Sequence, residues 1–201
     1  LGQPFIDSCI ICDSVKLAFS VRNYVFPFYL YLHRMDDNGD PIVVEIDESK
    51  YFHRKYHRGQ WRDGHWVFGG LERECGKCFL VIVPNRNAAT LQALIAEHVL
   101  PGSHIMSDAW AAYARIRELQ GGVYEHSMVV HQHNFVDPMD CDVHTQNVEN
   151  MWMRAKRKLK RRFGTSRALF ESYLHEFAYR NFFTGEDLFN AFIVTLSDNY
   201  A

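Results

Sequence analysis

Hydrophobic positions follow no steady period through residues 1–40, which end in the turn-rich stretch DDNGDP at 36–41. The pattern sharpens at Ile42. Ile42–Ser49 (IVVEIDES) predicts a strand with Ile42, Val44 and Ile46 on one face and Asp47 on the other. Trp66–Glu72 and Cys78–Val83 predict two more strands, joined as a hairpin by a turn at Cys75–Gly76–Lys77. Ala88–Leu100 carries apolar residues at 91, 94, 95 and 99, a helical period stopped by Pro101–Gly102. His104–Asp108 reads as a short strand, Ala111–Leu119 as a helical piece and Tyr124–His131 as another strand. Thr145–Phe163 predicts a long helix with Val148, Trp152, Ala155 and Leu159 on one face and Gly164 as its stop. Two helices follow, Ala168–Phe183 and Asp187–Leu196.

Antiparallel strands followed by β–α alternation predict an α/β or α+β domain around a mixed sheet flanked by helices. An RNase H-like fold has this order, although periodicity alone does not single it out. The expected divisions are an unread segment over 1–40, a core domain over 41–183 and a C-terminal helix over 184–201. The chain contains neither an internal repeat nor a low-complexity segment.

Charge changes the picture through its distribution. The net charge is −2, but residues 154–162 (RAKRKLKRR) hold seven basic residues. Without them 22 − 7 = 15 basic residues face 24 acidic ones, so an acidic body carries one basic stripe. Arg154, Arg157, Lys158, Lys160, Arg161 and Arg162 are therefore expected to contact DNA phosphates, splayed around the helix rather than on one narrow face. The same run also fits a nuclear-import signal. Five cysteines, an odd number with no secretory signal ahead of them, suit a reducing compartment. The apolar run at 24–32 is too short to span a bilayer, so no membrane partner is expected. A first residue of Leu1 rather than Met leads us to expect a fragment.

Three acids occupy telling positions. Asp47 sits on a strand, Asp108 ends one, and Glu149 lies in the first turn of the long helix. Ligand sites in α/β sheets gather at the carboxyl ends of strands, and a helix N-terminus favours a carboxylate. Hard divalent cations take oxygen ligands, and two of them can activate a nucleophile and stabilise the leaving oxygen of a phosphodiester. Routine strand-end and helix-start capping would put acids at the same places. Lys156 follows Glu149 by seven residues, two turns along one helix face, where a cation could hold a phosphate.

The stretches VEIDES (44–49), KY (55–56), RG (58–59), WVFGGLER (66–73) and GKCFLV (76–81) occur in this order. PGSHIMSDAW (101–110) with Tyr113, NFVDP (134–138) and HT (144–145) come next. Val148–Glu149, Trp152, Lys156, Glu176–Phe177 and Arg180 complete the series. Together they resemble DDE transposases of the Merlin superfamily and the related ISXO-type insertion-sequence transposases, from about residue 42 to 183. The resemblance implies an RNase H-like catalytic domain that excises and inserts DNA using two Mg²⁺ or Mn²⁺ ions. It implies Asp47, Asp108 and Glu149 as metal-binding catalytic acids, spaced by 61 and 41 residues, with Lys156 as the accompanying basic residue. DNA, as transposon ends and target, is the implied partner, a homodimer a candidate assembly, and the nucleus the compartment in a eukaryotic host (otherwise the cytoplasm with the nucleoid). Two departures stand out. Gln146 takes the place of the asparagine that commonly follows His-Thr in the family, with Asn147 one position on, and residues 1–40 do not match the expected lead-in or DNA-binding region.

Other constellations compete. Cys9-x-x-Cys12 and Cys75-x-x-Cys78 have zinc-like internal spacing, but their separation exceeds that of a compact ribbon, so zinc is not expected. His126, His131, His133 and His144 read as structural groups rather than ligands. Two other functions fit the same residues: a captured transposase-derived protein that binds DNA or a partner without catalysis, and a structure-directed nuclease that never joins strands.

Overall fold

The computed structural model describes residues 39–52, 64–129, 142, 144–162 and 165–200, together with a short antiparallel pair, Ser20–Val21 with Tyr24–Val25. Strands β1 (Val43–Tyr51), β2 (His65–Glu72) and β3 (Cys78–Val83) form an antiparallel meander. Helix α1 (Ala88–His98) then leads to β4 (His104–Asp108), which lies parallel to β1 on its other edge. Strand β5 (Glu125–Val129) lies parallel to β4, and helices α2 (Gln146–Arg161), α3 (Arg167–Phe182) and α4 (Leu188–Tyr200) follow. The sheet order β3-β2-β1-β4-β5, with only β2 antiparallel to the rest, is the RNase H-like arrangement.

Two apolar layers explain why these segments pair. Val44, Ile46, Phe68, Phe79 and Ile105 face one side, where Leu91 and Ile95 of α1 and Tyr113 cover them. Val67, Leu71, Cys78 and Leu80 face the other, under Val148, Met151, Trp152 and Ala155 of α2 and Phe170 and Leu174 of α3. A sheet covered on both faces has strands that are apolar throughout, as CFLVIV is. Among the described residues, no helix is long and apolar enough to cross a membrane.

The predicted elements mostly recur with shifted ends. The helical piece at 111–119 is instead two 3-10 turns, Ala111–Tyr113 and Ile116–Gly121. The chain has few residues in which to turn back toward β5, and it does so through left-handed Gln120, Gly121 and Gly122 (φ 48°, 82° and 86°), which end the helical geometry. Tyr124 precedes β5 rather than joining it, and its hydroxyl donates to Val99 O at 2.8 Å. Helix α2 begins one residue after Thr145, and the predicted stop at Gly164 lies outside the described residues.

Candidate active site

Strand register brings two of the predicted acids together. β1 and β4 pair as Val43↔His104, Val44↔Ile105 and Glu45↔Met106, an offset of 61 residues. Asp47 and Asp108 differ by the same 61, so the register continued two residues past its last pair sets them level, and the Asp108 charge does reach Asp47. Side chains alternate along a strand, which puts both on the face covered by α2. Asp47 Oδ1 accepts from Glu48 N at 2.7 Å, and Oδ2 accepts from the Trp152 indole at 3.0 Å. Burial pushes the Asp47 carboxyl up to about 7, the Glu48 and Asp108 charges add to this, and the two hydrogen bonds oppose it.

Glu48, which the sequence pattern did not single out, joins this acidic edge from the opposite face. Burial raises its carboxyl and Asp108 adds to the rise, while the Tyr113 hydroxyl donates to it at 2.8 Å and Arg86 lies near enough to lower it. Asp108 Oδ1 accepts from Trp110 N at 3.0 Å. The edge therefore gathers crowded oxygen donors, and each Asp47 oxygen takes one neutral N–H and keeps a lone pair. That donor set suits a hard divalent cation.

Helix α2 is fixed over this edge at two points. At its start, fully buried Glu45 accepts from Asn147 N, Asn147 Nδ2 and Val148 N at 2.8–2.9 Å. Arg73 pairs with the same carboxylate at 2.9 Å and donates to Asp142 O and His144 O. A carboxylate borrowed from β1 thus serves the orphan amides of the first turn. The Asn147 side chain, one position past the place usual in the family, is part of this anchor. Farther along, the Trp152 ring closes on Gly69, where a Cβ would stand 2.7 Å from it, and its indole N–H reaches Asp47.

Glu149 and Lys156 take their places from that helix. Glu149 precedes Trp152 by three residues and is exposed, on the flank next to the indole. Lys156 Nζ lies 5.2 Å from the centre of the Tyr51 ring at the end of β1. Among the described residues, no three His, Cys, Asp or Glu side chains are grouped so as to hold a metal ion.

The basic stripe divides. Lys158 and Arg162 pair with Glu176 of α3 at 3.0 and 2.7 Å, and Arg180 joins the same carboxylate at 2.9 Å. Arg154, Arg157, Lys160 and Arg161 are exposed, and all but Lys160 line the groove between α2 and α3. Of the cysteines, Cys75 lies exposed at the hairpin turn and Cys78 is buried in the core, while Cys9 and Cys12 fall outside the described residues. His126 is buried, His144 lies 3.5 Å from Glu45, and His131 and His133 also fall outside.

A Haemophilus influenzae protein described as an uncharacterized transposase-like protein is 31% identical over 104 residues, which cover 52% of this chain and 80% of that one. Among solved structures, a chain of the simian T-cell lymphotropic virus intasome in complex with PP2A regulatory subunit B56 gamma superposes with a TM-score of 0.46 at 12% identity. The match covers 75% of this chain but only half the length of that one. The HTLV-2 integrase catalytic core domain in complex with magnesium gives a TM-score of 0.44 at 12% identity, over 69% of this chain and 84% of that one. The BIV integrase catalytic core domain gives 0.45 at 12%, over 79% and 98%. The ISXO2-like transposase domain matches residues 38–181, a span that runs from just before β1 into the last turn of α3 and takes in every acid described above, and the chain belongs to that family.

Proposed function

We propose that this domain cuts and joins DNA phosphodiesters as the catalytic part of a transposase, with Asp47, Asp108 and Glu149 holding two Mg²⁺ or Mn²⁺ ions. The observation that carries the reading is the approach of Asp47 and Asp108, equally offset along the paired strands and close enough for the Asp108 charge to raise the Asp47 carboxyl. Bound divalent ions would supply Lewis-acid stabilisation of the charge that develops on the phosphodiester. Asp47 and Asp108 contribute oxygen donors from a rigid sheet. Glu149 contributes its carboxylate from a helix that Glu45 and Trp152 hold in place. Lys156 supplies a positive charge two helical turns from Glu149, suited to a phosphate beside the cut. The exposed arginines and Lys160 hold the duplex by phosphate contacts, which position DNA without reading its sequence.

The test is metal-dependent cleavage and joining of oligonucleotides that carry the element's end, supplied pre-cut as well as intact. Glu149→Gln preserves volume and removes the charge, so Mg²⁺- and Mn²⁺-dependent turnover falls by about 10³-fold or more while DNA binding survives. Lys156→Ala gives a milder loss. Equal cleavage by wild type and Glu149→Gln overturns the assignment of the third acid. A wild type that binds DNA but never cuts with any metal points to the captured, non-catalytic protein.

A further inference from the structure

Arg86, in the loop between β3 and α1, is clamped between two indoles. Its guanidinium carbon lies 3.9 Å from the centre of the Trp66 ring and 4.8 Å from that of Trp110. Trp110 Nε1 donates to Arg86 O at 3.3 Å, and Trp110 N donates to Asp108 Oδ1 at 3.0 Å. The first bond ties the stack together, and the second connects it to the acidic edge. Lys50 Nζ lies 5.4 Å from the Trp66 ring and adds a second cation.

Three features set this stack apart from ordinary packing. The guanidinium plane is fixed, yet no described residue accepts a hydrogen bond from its N–H groups, so its planar fork stands ready for an anion. Trp110 is 41% exposed, a large aromatic surface open to solvent beside a charged site. The cations also adjoin a crowded group of carboxylates, where a polyanion needs local compensation to approach. A fixed fork beside an open aromatic face matches one phosphate and one unpaired base of a nucleic-acid strand.

We infer that the Trp66–Arg86–Trp110 stack binds single-stranded nucleotides of the DNA next to the cut, Arg86 taking a phosphate and Trp110 stacking a base. The inference rests on the transposase reading and adds a strand-holding site to it. Within a duplex the bases are paired and stacked and cannot splay onto a side chain, so the site favours a frayed or overhanging end over a blunt one.

Fluorescence anisotropy of the 201-residue chain with a blunt duplex, and with the same duplex carrying an unpaired flank, tests this. Wild type binds the flanked DNA more tightly. Trp110→Ala weakens binding of flanked DNA by about fivefold to a hundredfold, the range for losing one base–aromatic stack, and leaves the blunt duplex unchanged. Trp110→Phe restores most of the difference. Arg86→Ala lowers the salt slope for flanked DNA by about one phosphate contact, and Arg86→Lys recovers the slope but not the full affinity. Indole emission provides a readout independent of whether the alanine variant folds: flanked DNA quenches wild type more than blunt DNA does, and Trp110→Phe abolishes the difference. Equal affinity and equal quenching for the two DNAs overturn the inference. If Arg157→Ala and Lys160→Ala weaken duplex binding while the stack variants behave as wild type, the stack is not a DNA site and the transposase reading stands. If the stack variants lose flanked DNA selectively and no metal supports cutting, the stack stands and catalysis falls.

Discussion

Glu45 and Asp47 lie two residues apart on one face of β1, and their environments differ sharply. Glu45 is fully buried and satisfied by the first amides of α2, the Asn147 side chain and Arg73. Asp47 has two neutral donors, two neighbouring acids and a carboxyl pushed up to about 7. A buried carboxylate that is fully hydrogen-bonded and paired builds structure, whereas one left crowded and short of positive charge is poised for a cation. The same strand thus fixes a helix with one acid and offers the next to a ligand.

Asp47→Asn breaks the comparison most severely. It is nearly isosteric, removes the charge, and should reduce metal-dependent cleavage by about 10³-fold or more. Thermal stability in metal-free buffer at pH 8 should hold or rise, because an uncompensated buried charge is gone. A large fall in melting temperature would show that Asp47 is a structural residue like Glu45.

Glu45→Gln is the converse. It leaves Arg73 without its counter-charge and weakens the anchor at the start of α2, which should cost about 3 kcal/mol in chemical denaturation. Cleavage should fall less than in Asp47→Asn, because the metal-facing acids remain. Unchanged stability would mean that helix packing alone holds α2.

Much of this contrast is legible in the chain, and part is not. Alternation along IVVEIDES places Asp47 opposite Val44 and Ile46, and it does face away from them in the structure. The same alternation puts Glu45 beside Asp47, a charge on a face that a helix must cover, and a buried charge requires a partner. Its partners, Asn147 and Val148, lie about a hundred residues away, and no local pattern names them. Trp152 reads as core and is core, but its indole N–H also reaches Asp47, which periodicity cannot report. The Trp66–Arg86–Trp110 stack joins three elements and leaves no trace in spacing. The 3-10 turns replace the predicted helix because tertiary closure onto β5 outweighs a weak local preference.

Gly69→Ala sharpens the comparison at the second anchor of α2. The added Cβ would meet Trp152 ring carbons at 2.7 and 2.9 Å and Phe79 O at 3.0 Å, so the indole must move. Overpacking of this kind should cost about 1–3 kcal/mol and release the hydrogen bond to Asp47. Cleavage should then fall more than stability alone explains, measured at a temperature where the variant is fully folded. An unaltered turnover there would mean that Trp152 fills space but does not position the site.

The smallest effect comes from a buried polar group behind Asp108 that serves as a control. His126 Nε2 lies 2.8 Å from Ser107 Oγ, and Ser107 donates its single hydroxyl proton to Asp108 O at 2.8 Å, so Nε2 carries the proton of that contact. Burial pushes the imidazole down to about 4, with Arg117 and His104, the charged groups facing it, adding to the shift. In the unfolded chain the same ring titrates near 6.5. Between those values the unfolded state binds the extra proton, so stability is full above about 6.5 and declines as pH falls toward 4. The loss should reach about 1–2 kcal/mol by pH 5, discounted from the full linkage because the strand edge can relax. Denaturation midpoints of wild type and His126→Gln across pH 5 to 8 measure it, the variant showing a flatter profile even if its stability at pH 8 is lower. Because His126 lies behind β4, on the side away from α2, binding of flanked DNA at pH 8 should be untouched. Parallel profiles for the two proteins would assign the acid sensitivity to other groups and leave Ser107–His126 as a pH-silent contact.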